Sequence, residues 1–277
     1  MTIKEKVLIV VKAYPTLSSK YGELVCIGAM KEDGSWIRIY PMPFRRFEEY
    51  KRFSKYTWIE MPLIKHTSDP RPESFRPLGW EYTILEKLGY ENNWARRKQI
   101  VLKKKVYDDM SKLINDANSN KLSLATFKPA KINDFVWEEV DREWDANKVE
   151  STLTDLRQKS LFEIEGFVKD FKIIPKLPYR FSYKLEDING KSSKMMIEDW
   201  ETGQLFWSCR NRYESEQQAL KKVKQKYLDE FVSKKDLYFF LGTTKHYHGW
   251  AKNPFLIVGT FHPPKEIQGR LAFPDFP

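Results

Sequence analysis

Glu32-Asp33-Gly34-Ser35 followed by Trp36-Ile37-Arg38-Ile39-Tyr40-Pro41 is the stretch that decides the fold class. The Asp-Gly step supplies the positive φ that a tight hairpin needs, and the run after it alternates at period 2. It reads as the second arm of a hairpin whose first arm is residues 23–30. Upstream lie a buried strand, Val7-Leu8-Ile9-Val10-Val11, and a loop over residues 14–21 that carries Lys20 and Tyr21. Downstream, Pro41 and Pro43 stop the strand, and a short amphipathic stretch spans residues 44–53. Residues 58–65 form a fourth strand, a loop over residues 66–79 holds Arg71 and Arg76, and residues 80–85 form a fifth strand. Three strands, a helical stretch and two strands is the connectivity of the OB-fold, a five-stranded barrel.

The C-terminal part repeats that order. Residues 179–186, 193–199 and 204–209 read as strands, with Asn189-Gly190 as a hairpin turn. Ser215 and Gln218 form a capping box ahead of a helix with Leu220, Val223, Tyr227, Leu228 and Phe231 on one face. Residues 237–241 and 255–261 complete the copy. Between the two copies, Arg96-Arg97-Lys98 and Lys103-Lys104-Lys105 flank an apolar triplet in an amphipathic helix that continues to Ile114. The expected fold is α+β, mainly β: two OB-like barrels at residues 1–88 and 172–277, joined by a basic helical insert at 89–171.

The chain has 277 residues, 48 Lys and Arg against 38 Asp and Glu, a net charge of +10, and 15% aromatic residues. A basic, ring-rich chain favours a polyanionic partner whose flat groups stack. Cys26 and Cys209 are its only cysteines, which excludes a disulfide framework and a Cys-based zinc site. The start, Met-Thr-Ile-Lys-Glu-Lys, lacks the apolar core of a signal peptide, and every apolar run is too short for a bilayer. A cytoplasmic protein without a membrane partner is expected.

Catalytic motifs are scarce. There is no Gly-x-Ser-x-Gly elbow, and Gly190-Lys191-Ser192 lacks the upstream glycine of a phosphate-binding loop. His248, Asn253 and His262, with His246, suggest a metal-dependent nuclease, but the first His stands too close to Asn253 for that pattern. Glu198, Asp199 and Glu201 could hold Mg²⁺ on a strand, yet residues 204–209 offer no matching Lys. Solvent-facing loop histidines and solvated carboxylates are the simpler reading, so no metal, no cofactor and no catalytic residue is assigned; the nuclease stands as the alternative.

Binding features are stronger. An OB barrel binds across its second and third strands and the adjoining loops. In the first copy that surface offers Trp36, Arg38, Tyr40, Lys20, Arg71 and Arg76; in the second, the loop before the last strand offers Lys245, His246, Tyr247, His248 and Trp250. Arg96 and Arg97 add a basic helix for phosphates. DNA or RNA is the expected partner, and a protein partner is a further reading, since such barrels also serve as adaptors.

The segments Lys12-Ala13-Tyr14-Pro15-Thr16, Trp36-Ile37-Arg38-Ile39-Tyr40-Pro41, Ser68-Asp69-Pro70-Arg71-Pro72-Glu73-Ser74, Met196-Ile197-Glu198-Asp199-Trp200-Glu201 and Asn253-Pro254-Phe255-Leu256-Ile257-Val258-Gly259 resemble those of an uncharacterised bacterial family with dual OB domains. The resemblance spans nearly the whole chain. It implies two barrels and, by analogy of fold, a non-catalytic nucleic-acid-binding subunit of a bacterial defence or mobile-element system.

Overall fold

The computed structural model describes residues 3–18, 22–160, 167 and 171–266. Lys20, Tyr21 and the segment 267–277 lie outside the described residues. The protein is mixed α/β and mostly β. Its first domain runs through β1 (Ile3–Lys12), β2 (Thr16–Ser18), β3 (Gly22–Met30), β4 (Trp36–Met42), β5 (Thr57–Lys65), β6 (Ser74–Pro77) and β7 (Thr83–Lys87). Five of these close a barrel. β1 pairs antiparallel with β3, β3 with β4, β4 parallel with β6, β6 antiparallel with β5, and β5 returns to β1. Closure leaves that ring without an unpaired edge. β2 and β7 branch from β3 and β5.

The expected fifth strand at residues 80–85 is not the one that closes the ring. Ser74–Pro77, inside the expected loop, does so, while β7 lies outside with every residue exposed. Pro77 ends the closing strand after four residues, too few for an alternation to register. β1 explains its own composition. Val7 and Ile9 point into the barrel with Ile27, Ile39 and Ile59, and Leu8 and Val10 point outward onto Phe240, Leu256 and Val258. Burial on both faces is why Val7 to Val11 is apolar without alternation.

α1 (Glu91–Val101) leads into the second domain, which holds β8 (Val106–Tyr107), α2 (Met110–Asn118), β9 (Leu124–Phe127), β10 (Lys131–Glu139), α3 (Ala146–Ser160), β11 (Tyr179–Glu186), β12 (Ser192–Met196), α4 (Trp200–Tyr213), α5 (Glu216–Lys224), β13 (Tyr238–Thr243) and β14 (Phe255–Phe261). β10-β11-β12 form one sheet and β14-β13-β9-β8 another, linked by a bridge between Ile197 and Ile257. Their shared core takes Phe135, Phe181, Phe206, Tyr227 and Phe239. Among the described residues no helix is long and apolar enough to cross a membrane.

Three expectations change here. The segment 89–171 supplies β8, β9 and β10 besides its helices. The single amphipathic helix from Arg96 to Ile114 is two helices, separated by β8. Residues 204–209 lie inside α4, so the second half does not repeat the first element by element. Their rings and cysteine suit a strand by propensity, but burial of Thr202, Gly203 and Phe206 on one face of a helix prevails. Gly203 is needed there, because a Cβ would fall 2.2 Å from Cε2 of Tyr14. The serine half of the expected capping box forms: Ser215 Oγ accepts from the Gln218 amide at 3.3 Å, and Leu220, Val223, Tyr227 and Phe231 are buried.

Arg97 ties α1 to the barrel. It is 1% exposed, donates to the Leu88 carbonyl at 2.6 Å, and lies 4.0, 4.1 and 4.7 Å from the rings of Tyr56, Tyr90 and Trp94. A desolvated cation–π contact contributes ~2 kcal/mol and a charged hydrogen bond ~1.5 kcal/mol. Arg97→Ala is therefore expected to lower stability by about 3 kcal/mol in urea unfolding with an unchanged m-value. A loss below ~1 kcal/mol would show that the cage carries no such weight.

Candidate nucleic-acid interface

Of the residues expected to face nucleic acid, Trp36, Arg38, Arg71 and Lys245 instead join the two domains. Arg38 is 4% exposed and donates to the carbonyl and hydroxyl of Ser123 at 3.1 and 3.2 Å. Glu73 accepts from the same serine's amide at 2.9 Å and from its hydroxyl at 2.7 Å. Arg71 pairs with Asp69 at 2.6 Å and reaches the Thr243 carbonyl at 2.6 Å. Burial would raise the Asp69 pKa, but the hydrogen bonds and charge of Arg71 outweigh it and hold the carboxyl below its usual range. His248 lies 3.1 Å from Thr243 Oγ1 and 2.8 Å from Asn120 Oδ1. Burial, then the charge of Arg71, lowers its pKa. Lys245 donates to the Ser68 carbonyl at 2.7 Å, and Trp36 meets Phe240 edge-on at 5.2 Å. Arg38, Arg71 and His248 therefore do converge, but on a filled seam rather than an open groove. Tyr40 is half-buried on β4, and Arg76 is exposed on β6.

The basic helix is also engaged. Arg96 pairs with Glu86, Arg97 is buried, Lys98 meets Glu266 at 2.9 Å, and Lys103 donates to the Glu32 carbonyl at 2.9 Å. Lys104 and Lys105 lie 3.6 and 3.8 Å from Asp33 and Asp116. His246, Tyr247 and Trp250 form an exposed cluster in which Trp250 Nε1 donates to the His246 carbonyl at 2.7 Å.

The residues of the nuclease alternative occupy separate settings. His248 is in the seam, Asn253 accepts from the Phe255 amide at 3.1 Å, and His262 stacks on Phe231 with centroids 4.0 Å apart. Among the described residues no group of three or more His, Cys, Asp and Glu side chains is spaced to hold a metal ion.

The open site lies elsewhere. A cleft of about 890 Å³ runs between the end of β1, the connection from β4 to β5, and α4. Lys12, Arg45, Arg52 and Arg210 line it, together with Phe44, Phe53, Trp200 and Trp207. Lys12 Nζ sits 4.6 Å from the Phe44 ring and 5.9 Å from that of Trp200. Arg45 is fixed by Glu23 at 2.6 Å, and Arg52 by the Phe47 carbonyl at 2.8 Å. Trp207 Nε1 donates to the Tyr14 hydroxyl at 2.8 Å, which in turn donates to the Pro175 carbonyl at 2.9 Å.

Beneath the cleft, Lys55 Nζ bonds Asp199 at 2.9 Å and Glu201 at 3.0 Å. Burial favours the neutral amine, but the two carboxylates outweigh it and keep Lys55 charged. Burial pushes the Asp199 pKa up; it would raise that of Glu201 too, but the charge of Lys55 holds Glu201 down. Among the described residues Lys12 has no such pairing. Burial first, and then the charge of Lys55, lowers its pKa to about 8. Lys12, Phe44, Arg45, Arg52, Lys55 and Arg210 were not expected as site residues. The signal available was the pair of segments 12–16 and 196–201, which meet through a bridge between Ala13 and Asp199 and a bond from the Tyr14 amide to the Glu198 carbonyl at 3.0 Å. Asp199 is accordingly buried rather than a solvated hairpin end.

A family model described as Domain of unknown function (DUF8758) matches residues 3–103, and a second, Domain of unknown function (DUF8757), matches residues 104–275. The second spans more than half of the chain, which belongs to that family. The junction falls between α1 and β8, where the barrel domain gives way to the second. No curated protein matches the sequence.

His262, packed against Phe231 and Trp94, gives the fold an acid limit. Burial lowers its pKa to about 4, against 6.5 for a free imidazole. On acidification the unfolded chain takes up the proton first, so the stability contributed by the neutral ring is complete above pH 6.5 and is lost as the pH falls through about 4. A gap of that size corresponds to about 3 kcal/mol. His262→Phe, which keeps the stack on Phe231, is expected to flatten urea-measured stability between pH 6.5 and 4. An unchanged slope would move the acid sensitivity to another group.

Proposed function

We propose that this protein binds single-stranded or distorted nucleic acid, DNA or RNA, in the Lys12 cleft. One observation carries the reading: Lys12, Arg52 and Arg210 surround the same opening as Phe44, Trp200 and Trp207. Cations neutralise phosphates, ring faces stack with bases, and together they make a site that tolerates any sequence. The barrel supports it. With the ring strands numbered 1 to 5 along the chain, their order around the ring is 1-2-3-5-4, and only 3 and 5 run parallel. We read this as an OB-type barrel. Such barrels bind ligand over strands 2 and 3; here Arg38 and Arg71 commit that face to Ser123 and Thr243. The ligand is accordingly assigned to the cleft at the barrel's other contact with the second domain.

Fluorescence anisotropy with labelled single strands across a salt series tests the assignment. Binding should weaken steeply with salt. Arg210→Ala should reduce the slope of log K against log salt by about 0.7, as expected for one lost phosphate contact on a single strand. Trp207→Leu should cost about 1–3 kcal/mol of affinity at all salt concentrations. Absence of binding at low salt, or binding indifferent to salt, would overturn the proposal.

A further inference from the structure

The nucleic-acid reading gives Lys12 a phosphate contact, but its surroundings suit a different task. A lysine used only as a point charge is best left solvated and fully protonated. Lys12 instead ends β1 in the lining of the cleft, with its Nζ beside the paired Phe44 and Trp200 rings and 3.4 Å from the Phe53 carbonyl. Among the described residues no carboxylate bonds it; Asp199 and Glu201, whose charges act on it, are both taken by Lys55. Lys55, 5% exposed and held charged by that pairing, is the neighbouring cation. Desolvation beside a second, fixed cation is a recognised way to activate an amine towards carbonyl groups. The groups whose charge acts on Lys12 are Lys55, Glu201, Asp199 and Lys87, and burial exceeds all of them. With a pKa of about 8, the amine carries about 300-fold more of the neutral form at pH 7 than one at 10.5.

We propose that Lys12 is an amine nucleophile that captures an aldehyde presented in this cleft, the substrate class being the ring-opened sugar aldehyde of an abasic site in nucleic acid. The walls fit that class. Arg52 and Arg210 are placed for flanking phosphates and the tryptophans for neighbouring bases, while a missing base leaves the sugar free to reach Lys12. The neutral Nζ attacks the aldehyde carbon and forms the C–N bond. The carbonyl oxygen then takes up the two N–H protons, by way of solvent at the open mouth, and leaves as water. The product is an imine, with no oxidant or reductant consumed. This inference rests on nucleic acid as the ligand, and the test separates the two.

The full chain is incubated with a single strand containing one abasic site, and with the same strand intact, in the presence of borohydride, which reduces an imine to a stable amine. Anisotropy on both strands is measured in parallel. A covalent adduct with the abasic strand alone, mapped by peptide mass spectrometry to Lys12 and absent from Lys12→Met, supports the proposal. An adduct on other lysines, or none while both strands bind, overturns it and leaves the nucleic-acid reading standing. Absence of both binding and adduct overturns the two together. Pyridoxal phosphate with borohydride supplies an arm that needs neither nucleic acid nor a variant. Lys12 should be labelled about tenfold faster than the exposed Lys4, and equal rates would refute an activated amine.

Discussion

The two domains close around one buried ammonium. Lys55 comes from the barrel domain and its partners, Asp199 and Glu201, from the second. Its side chain is 5% exposed, and that of Asp199 is fully buried. Removing such ions from water costs several kcal/mol each, and that cost is offset only while both partners are present. Separated domains would rehydrate the charges, whereas a slipped interface would strand them. The ion pair therefore selects one docking geometry even if its net contribution to stability is small. That geometry fixes where α4 starts, and hence where Trp200 and Trp207 stand above Lys12.

The seam on the other side of the barrel obeys the same rule with different chemistry. Arg38, Arg71 and Glu73 meet backbone and hydroxyl groups of Ser123 and Thr243 instead of opposite charges on the partner domain. The compensating carboxylate for Arg71 is supplied locally by Asp69, two residues away. Arg71 thus arrives already balanced and offers a hydrogen bond across the boundary, whereas Arg38 is buried against neutral groups alone, its Nε without a partner among the described residues, so its position depends on the Ser123 contact. On the OB-type reading proposed above, the barrel face that usually takes ligand is consumed in assembly, and the proposed ligand surface is the one built from both domains at the Lys12 cleft.

Legibility in the sequence followed the range of the interactions. The hairpin at Asp33-Gly34, the strands at residues 7–11, 23–30 and 58–65, and the Ser215 cap depend on neighbours a few residues away and were readable. β6 was not, because its four residues are ordered by pairing with β4 and β5 rather than by their own pattern. α4 was misread because Phe206 and Trp207 look strand-like until Tyr14, nearly two hundred positions earlier, packs against Gly203. The candidate site suffered in the same way. Arg38 and Arg71, read on one copy, and His248, read on the other, meet in the fold, but sequence carries no information on whether a convergent set is open or filled. Lys55 carries no mark as a partner for residues 198–201, since it lies 144 positions before Asp199 and only the docking of the two domains brings them together.

The net charge of +10 now has a more specific meaning than affinity for polyanions. The densest run of cations, residues 96–105, is spent on Glu86, Glu266, Asp33, Asp116, a carbonyl of Glu32 and a ring cage. Exposed pairs of this kind contribute roughly 0–1 kcal/mol each, yet they neutralise the field that a solvated polycation would project. Selective attraction must then come from cations whose partners are uncharged, and the cleft holds one in Arg52, bonded to the carbonyls of Phe47 and Arg45. A charge held against neutral partners keeps its full field for a ligand, whereas one in an ion pair has already lost most of it. On the proposed nucleic-acid reading, position within the pairing network, more than the number of lysines and arginines, therefore determines where this protein would meet an anion.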